Sequence, residues 1–142
     1  MADTGLTKEE RDAVKERAKE LRAQEKAGRN REAGLKSVLE AIEKLDAADQ
    51  ELAHGLHKVV SEVAPDLVPK TYYGMPGYAD ADGKMVVFLQ PASKFKTRYS
   101  TIGFEGSANL DDGDSWPVAF AVLTWSPAVE KQFTALVRAA VA

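Results

Sequence analysis

Apolar residues recur at helical spacing through the first half of the chain and gather into shorter runs in the second. Leu35, Val38, Leu39, Ile42 and Leu45 share one helical face. Leu52, Leu56, Val59, Val60 and Val63 form a second such stripe, which predicts a helix from about Ala47 to Val63. Asp46 suits its N-cap and Pro65 ends it. Two amphipathic helices this close predict an αα-hairpin. After Pro65 the pattern changes. Lys70–Tyr73 reads as a short strand that Met75-Pro76-Gly77 breaks. Asp82-Gly83 is a turn signal before Lys84–Leu89, a run apolar on both faces and therefore central in a sheet. Arg98–Phe104 and Val118–Leu123 continue the sheet, with Pro117 at the start of the last strand. Ser126-Pro127 is an N-cap with proline at the first helical position, and Val129, Phe133, Leu136, Val137 and Ala140 make the closing helix amphipathic.

The first thirty-odd positions follow a different rule. Thr7-Lys8-Glu9-Glu10 has the form of a capping box, so a helix is expected from about Lys8 to Lys26. Its apolar stripe is only Val14, Ala18 and Leu21; the other positions are mostly charged, in stripes of both signs. Such a helix buries little and reads as a solvated arm. A nucleic-acid role is disfavoured by its interleaved acids. Ala27–Gly34 reads as a linker. The expected organisation is therefore an arm and linker over residues 1–34 and a domain over 35–142.

Composition narrows the function. At 142 residues the chain holds one sizeable core. It has no cysteine, which excludes disulfides, thiolate metal sites and cysteine nucleophiles. The start of the chain lacks the basic and apolar regions of a secretory signal, and no apolar run is long enough to span a membrane. A cytoplasmic protein is the expectation. The net charge of -3 is too mild to imply a highly charged partner.

Every aromatic residue lies at or after Tyr72. Tyr72, Tyr73, Met75, Tyr78 and Trp116 are candidates for a ligand-binding surface, with Gly74, Pro76 and Gly77 bending the backbone beside them. The same residues also suit the core of a sheet. Asp111, Asp112 and Asp114 cluster around Gly113 and can gather a hard divalent cation; Asp-Gly turn chemistry accounts for them more simply. Asp80-Ala81-Asp82-Gly83 opens like a calcium loop, but Lys84 and Pro91 stand where ligands are required. His54 and His57 are three residues apart on a helix and are both expected to face water. No nucleophile elbow, phosphate loop or dinucleotide fingerprint is present, so catalysis has no positive signal.

From roughly Leu39 to Val141 the chain resembles the YdhG-like family of small bacterial domains. The resemblance is carried by Tyr73-Gly74-Met75-Pro76-Gly77-Tyr78, the Lys84–Leu89 strand, Ile102-Gly103-Phe104, and the segment from Leu110-Asp111-Asp112-Gly113 to Trp116-Pro117. It implies an α+β fold related to the frataxin-like group: an α/β sandwich with an antiparallel sheet of about four to five strands and helices on one face. Some relatives are described as iron chaperones, which implies weak Fe2+ binding. Those relatives tend to follow Gly-Phe with Tyr-Pro, where this chain has Glu105-Gly106. By analogy with acidic ridges of frataxin-like proteins, Glu40, Glu43, Asp46 and Asp49 form a second candidate metal surface. The leading expectation is a small non-catalytic binding domain, an iron carrier; the alternative is a small-molecule or peptide-binding module on the tyrosine–tryptophan surface.

Overall fold

The computed structural model describes residues 6–27 and 31–142. Five helices and five strands follow in the order α1 (Lys8–Ala27), α2 (Arg31–Glu43), α3 (Ala47–Val63), β1 (Val68–Pro69), β2 (Gly77–Ala79), β3 (Met85–Gln90), α4 (Ala92–Phe95), β4 (Ser100–Phe104), β5 (Ala119–Val122) and α5 (Pro127–Ala140). The strands form one antiparallel sheet in the order β1-β2-β3-β4-β5, so the chain has the expected α+β fold. Among the described residues no helix is long and apolar enough to cross a membrane.

The capping signals act as the sequence implies. Thr7 Oγ1 accepts from the Glu10 amide at 3.0 Å while Glu10 Oε1 accepts from the Thr7 amide at 3.0 Å. Asp46 caps α3 by accepting from the Asp49 amide, and Ser126 caps α5 by accepting from the Val129 amide. Residues 28–30 of the expected linker lie outside the described residues, and the rest of it is helical: α1 runs to Ala27, and α2 begins at Arg31 and runs through Gly34. A Cβ at Gly34 would lie 2.1 Å from the Pro69 carbonyl oxygen, so the glycine is needed for close packing of α2 on β1 rather than for a flexible joint.

The core lies between α2, α3 and α5 and one face of the sheet. Val38 and Ile42 enter it from α2, Leu52, Leu56, Val59 and Val60 from α3, and Phe133 and Val137 from α5. Tyr78, Val87, Leu89, Ile102 and Val122 meet them from the strands. Gly55 lets the Trp125 indole lie against α3, where it stacks on Phe133 with ring centroids 6.0 Å apart. The opposite sheet face carries Phe88, whose ring covers Gly103 and meets Tyr72 at 5.3 Å.

Several boundaries differ from expectation, β4 for one starting at Ser100 rather than Arg98. The strand expected at Lys70–Tyr73 is instead β1, two residues earlier, followed by a tight turn from Tyr72 to Met75. Gly77 starts β2 rather than breaking a strand. The short helix α4 has no apolar periodicity to announce it and ends at Lys96 in the left-handed conformation.

Candidate functional site

The turn after β1 is the most constrained backbone near any concavity. The amides and carbonyls of Tyr72 and Met75 bond each other at 2.8 and 2.9 Å. Both intervening residues have positive φ, 52° at Tyr73 and 78° at Gly74. This is the type I′ pattern, which glycine accepts freely and tyrosine does not. Neighbouring contacts hold Tyr73 there. Its ring meets Tyr72 edge-on at 4.8 Å, and the Arg17 guanidinium lies 5.2 Å from the Tyr72 centroid and 5.5 Å from that of Tyr73.

Arg17 belongs to α1, which grips this turn with charged side chains. Glu20 Oε2 accepts from the Gly74 amide at 2.8 Å, and Arg17 Nη1 donates to the Thr71 carbonyl at 3.4 Å. A Cβ on Gly74 would collide with the Glu16 carboxylate. Glu16 pairs with Lys94 of α4 at 2.8 Å, and Glu9 with Lys96 at 2.9 Å. Lys96 draws the Glu9 carboxyl below its ordinary value, and Glu9 raises that of Lys96, each through their hydrogen bond. The thin apolar stripe stays largely in solvent, with Val14 49% and Leu21 46% exposed, while Ala13 is buried. The helix docks chiefly by polar contacts and keeps Val14 and Leu21 in water.

Between α1, α2 and the β1–β2 edge lies a cleft of about 900 Å³. Ala41, Leu45, Val68, Pro69 and Ala79 contribute its apolar lining. Its charged lining is mixed, with Lys19, Lys44, Lys70 and Lys94 among Glu16, Glu20, Glu40, Asp46 and Asp80. A second concavity, about 730 Å³, lies beside Arg17, Tyr72, Lys84 and Glu105. There the Tyr72 hydroxyl donates to Glu105 Oε2 at 3.0 Å, and its pKa is pushed up to about 12 by desolvation first and the Glu105 bond second.

The candidate ligand-binding residues do not form one surface. Tyr72 and Tyr73 lie together at the α1 contact. Met75 is buried beside them. Tyr78 is only 1% exposed and points into the helix-facing core, where burial raises its pKa. Trp116 precedes the far edge strand β5, with β3 and β4 between it and β2, and is 36% exposed. Glu40 and Asp46 of the acidic candidates and Leu45 of the α2 stripe do line the cleft, whereas its lining from α1 and the β1–β2 edge carries no periodic signal.

The acidic candidates are likewise dispersed. Asp111, Asp112 and Asp114 are all exposed around Gly113, whose φ is 68°. Among the described residues no three His, Cys, Asp or Glu side chains converge so as to hold a metal ion. Glu40 and Glu43 are exposed on α2, and Asp46 is committed to capping. Asp49 is buried, accepting from the Ser93 amide at 3.0 Å, from the Ser93 hydroxyl, and from the Ser100 hydroxyl at 3.0 Å. It ties α3 to α4 and β4.

His54 is exposed as expected, but His57 is not. It is half-buried, and its Nδ1 lies 2.8 Å from the Tyr78 hydroxyl. Desolvation, with a smaller contribution from His54, lowers the His57 pKa. In the Nε2–H tautomer the neutral ring accepts a hydrogen bond from the Tyr78 hydroxyl at Nδ1.

No family model, curated protein or solved structure matches the chain.

Proposed function

We propose that this chain is a non-catalytic binding domain whose ligand, a small organic molecule or a short peptide, occupies the cleft between α1, α2 and the β1–β2 edge. The observation that carries the reading is the cleft itself. About 900 Å³ is within the ordinary range of ligand sites, and apolar lining set among a few charged groups is their ordinary composition. Lysines and carboxylates on the same walls suit a ligand bearing both an anionic and a cationic group around an apolar body.

One observation favours binding over chemistry. Catalytic sites gather groups with displaced pKa values in a cleft. Here His57, Tyr78 and Tyr72 owe their shifts first to burial and lie outside this cleft, while Glu9 and Lys96 shift through a surface pair. The iron-carrier expectation rests on the family resemblance and on carboxylates that stand apart or are already hydrogen-bonded, so the organic ligand is the better-supported cargo.

Amide NMR titration with zwitterionic dipeptides and amino-acid-sized organic acids tests the reading. Saturable shifts should appear at Gly34, Ala41, Ala79 and Gly83, and Ala41→Trp should abolish them by filling the cleft. Shifts confined to Asp111–Asp114, or binding untouched by Ala41→Trp, would refute the placement. An Fe2+ titration on the same sample distinguishes the iron reading.

A further inference from the structure

At the sheet edge farthest from the cleft, β5 has β4 on one side and no strand on the other among the described residues. The Phe104 amide donates to the Val118 carbonyl at 2.7 Å, and Ile102 pairs with Phe120 and Ser100 with Val122. Antiparallel strands alternate hydrogen-bonded and non-bonded pairs. Val118, Phe120 and Val122 therefore spend their backbone groups on β4, while the N–H and C=O of Ala119 and Ala121 point away from the sheet.

Protected edges carry charges, bulges or covering elements. This one is bare. No charged residue occurs between Asp114 and Glu130. Ala119 and Ala121 are exposed and too small to shield their own backbone, Val118 is exposed, and Leu123 just beyond the strand is 70% exposed. Pro117 falls at an outward-facing position, where its missing N–H costs the sheet nothing.

We propose that β5 pairs antiparallel with β5 of a second copy of this chain, about a twofold axis through Phe120. In that register Ala119 faces the partner's Ala121 and Ala121 the partner's Ala119. Each outward N–H then meets an outward C=O, because a strand with two like-facing residues on either side of its centre is self-complementary under twofold rotation. Val118 comes beside the partner's Val122, which removes exposed apolar surface on the helix side. An uncharged strand presents no like charges to its own copy, whereas a mixed-charge partner strand would gain nothing here. The two sheets become one continuous sheet, with the clefts at its outer ends.

Sedimentation velocity and amide exchange of the full chain across a concentration series test the proposal. A dimer should appear with rising concentration, and the Ala119 and Ala121 amides should gain protection in step with it. Placing like charges opposite each other, in Ala119→Lys/Ala121→Lys, should weaken association by about tenfold or more. Ala119→Lys/Ala121→Glu should restore it, because each new cation then faces a new anion across the axis. A chain that stays monomeric throughout overturns the proposal. So does a dimer indifferent to the paired lysines, or one the charge-swapped variant fails to restore while its thermal melt shows it folded. Should the paired-lysine variant not fold, concentration-dependent protection of the two amides in the native chain still decides.

Discussion

The pairing of His57 with Tyr78 ties one half-exposed imidazole of α3 to β2 of the sheet. The neutral ring accepts from a phenol that burial keeps protonated, so protonating Nδ1 removes the acceptor and places charge against the core. The folded pKa lies below the ordinary imidazole value of 6.5. The stability this contributes is thus fully present above 6.5 and is lost as pH falls through the lower folded value. Melting temperature should decline on acidification from neutral pH, and His57→Gln should flatten that decline; equal slopes in both proteins would show that the proton is taken up elsewhere. The sequence could not reveal this bond, because helix periodicity places His57 only on the flank of the buried stripe and says nothing of which strand residue it meets. Gly55 is a second case where a long-range contact overrides a local rule. Glycine-to-alanine in a helix gains about 1 kcal/mol in propensity. At Gly55, however, the new methyl would sit 2.3 Å from the Trp125 indole, which Phe133 backs on its other side. Overpacking costs about 1–3 kcal/mol, so Gly55→Ala should destabilise the domain despite its propensity gain, as urea unfolding would measure.

Elements with strong periodicity and caps were legible from sequence; those set by a few long-range contacts were not. α3 and α5 each have a wide apolar stripe and a side-chain cap, and both appear with the expected starts. β3 was legible from its unbroken apolar run. β1, β2 and α4 are too short for periodicity to register, and their positions depend on Gly34, the type I′ turn and Asp49. The capping box and the charge of α1 make it legible as a helix that buries little, but its sequence does not show which face docks, since an apolar stripe is a guide to burial only when burial drives docking. Here the docking groups are Glu16, Arg17 and Glu20. Arg17 stands over two tyrosine rings, a contact worth about 0.5–2 kcal/mol depending on its exposure. Arg17→Ala should therefore speed hydrogen exchange of the α1 amides by about thirtyfold at the upper end of that range, while the amides of α3 and β3 keep their protection. Parallel loss of protection in all three elements would mean that α1 is integral to the core.

At the scale of the molecule, two kinds of cohesion meet at the cleft. On one side α2, against which β1 packs, belongs to the apolar layer that α3, α5 and the sheet share. On the other, α1 is held by the Glu16–Lys94 and Glu9–Lys96 pairs, by Arg17 and by the Glu20 bond to Gly74. The composition of the second half suggested an aromatic site, yet the principal cleft lies where the first half meets the β1–β2 edge, because a concavity arises from elements that fail to fill the space between them, and no single segment encodes that. The division also sets how the fold responds to salt. At about 1 M ionic strength the screening length falls to about 3 Å, so exposed ion pairs lose most of their attraction while apolar burial is unaffected or strengthened. Raising sodium chloride from low concentration to that level should free α1 with the remaining layers intact: its amides should exchange early while β3, β4 and α5 keep their protection, as exchange mass spectrometry would record. Because α1 forms one wall of the cleft, ligand affinity should fall over the same salt range even for an uncharged ligand, whose own attraction salt does not screen. If α1 exchanges only with global unfolding at every salt concentration, its polar contacts hold it as firmly as the core holds the other helices, and the cleft is a rigid site rather than one whose wall can come away.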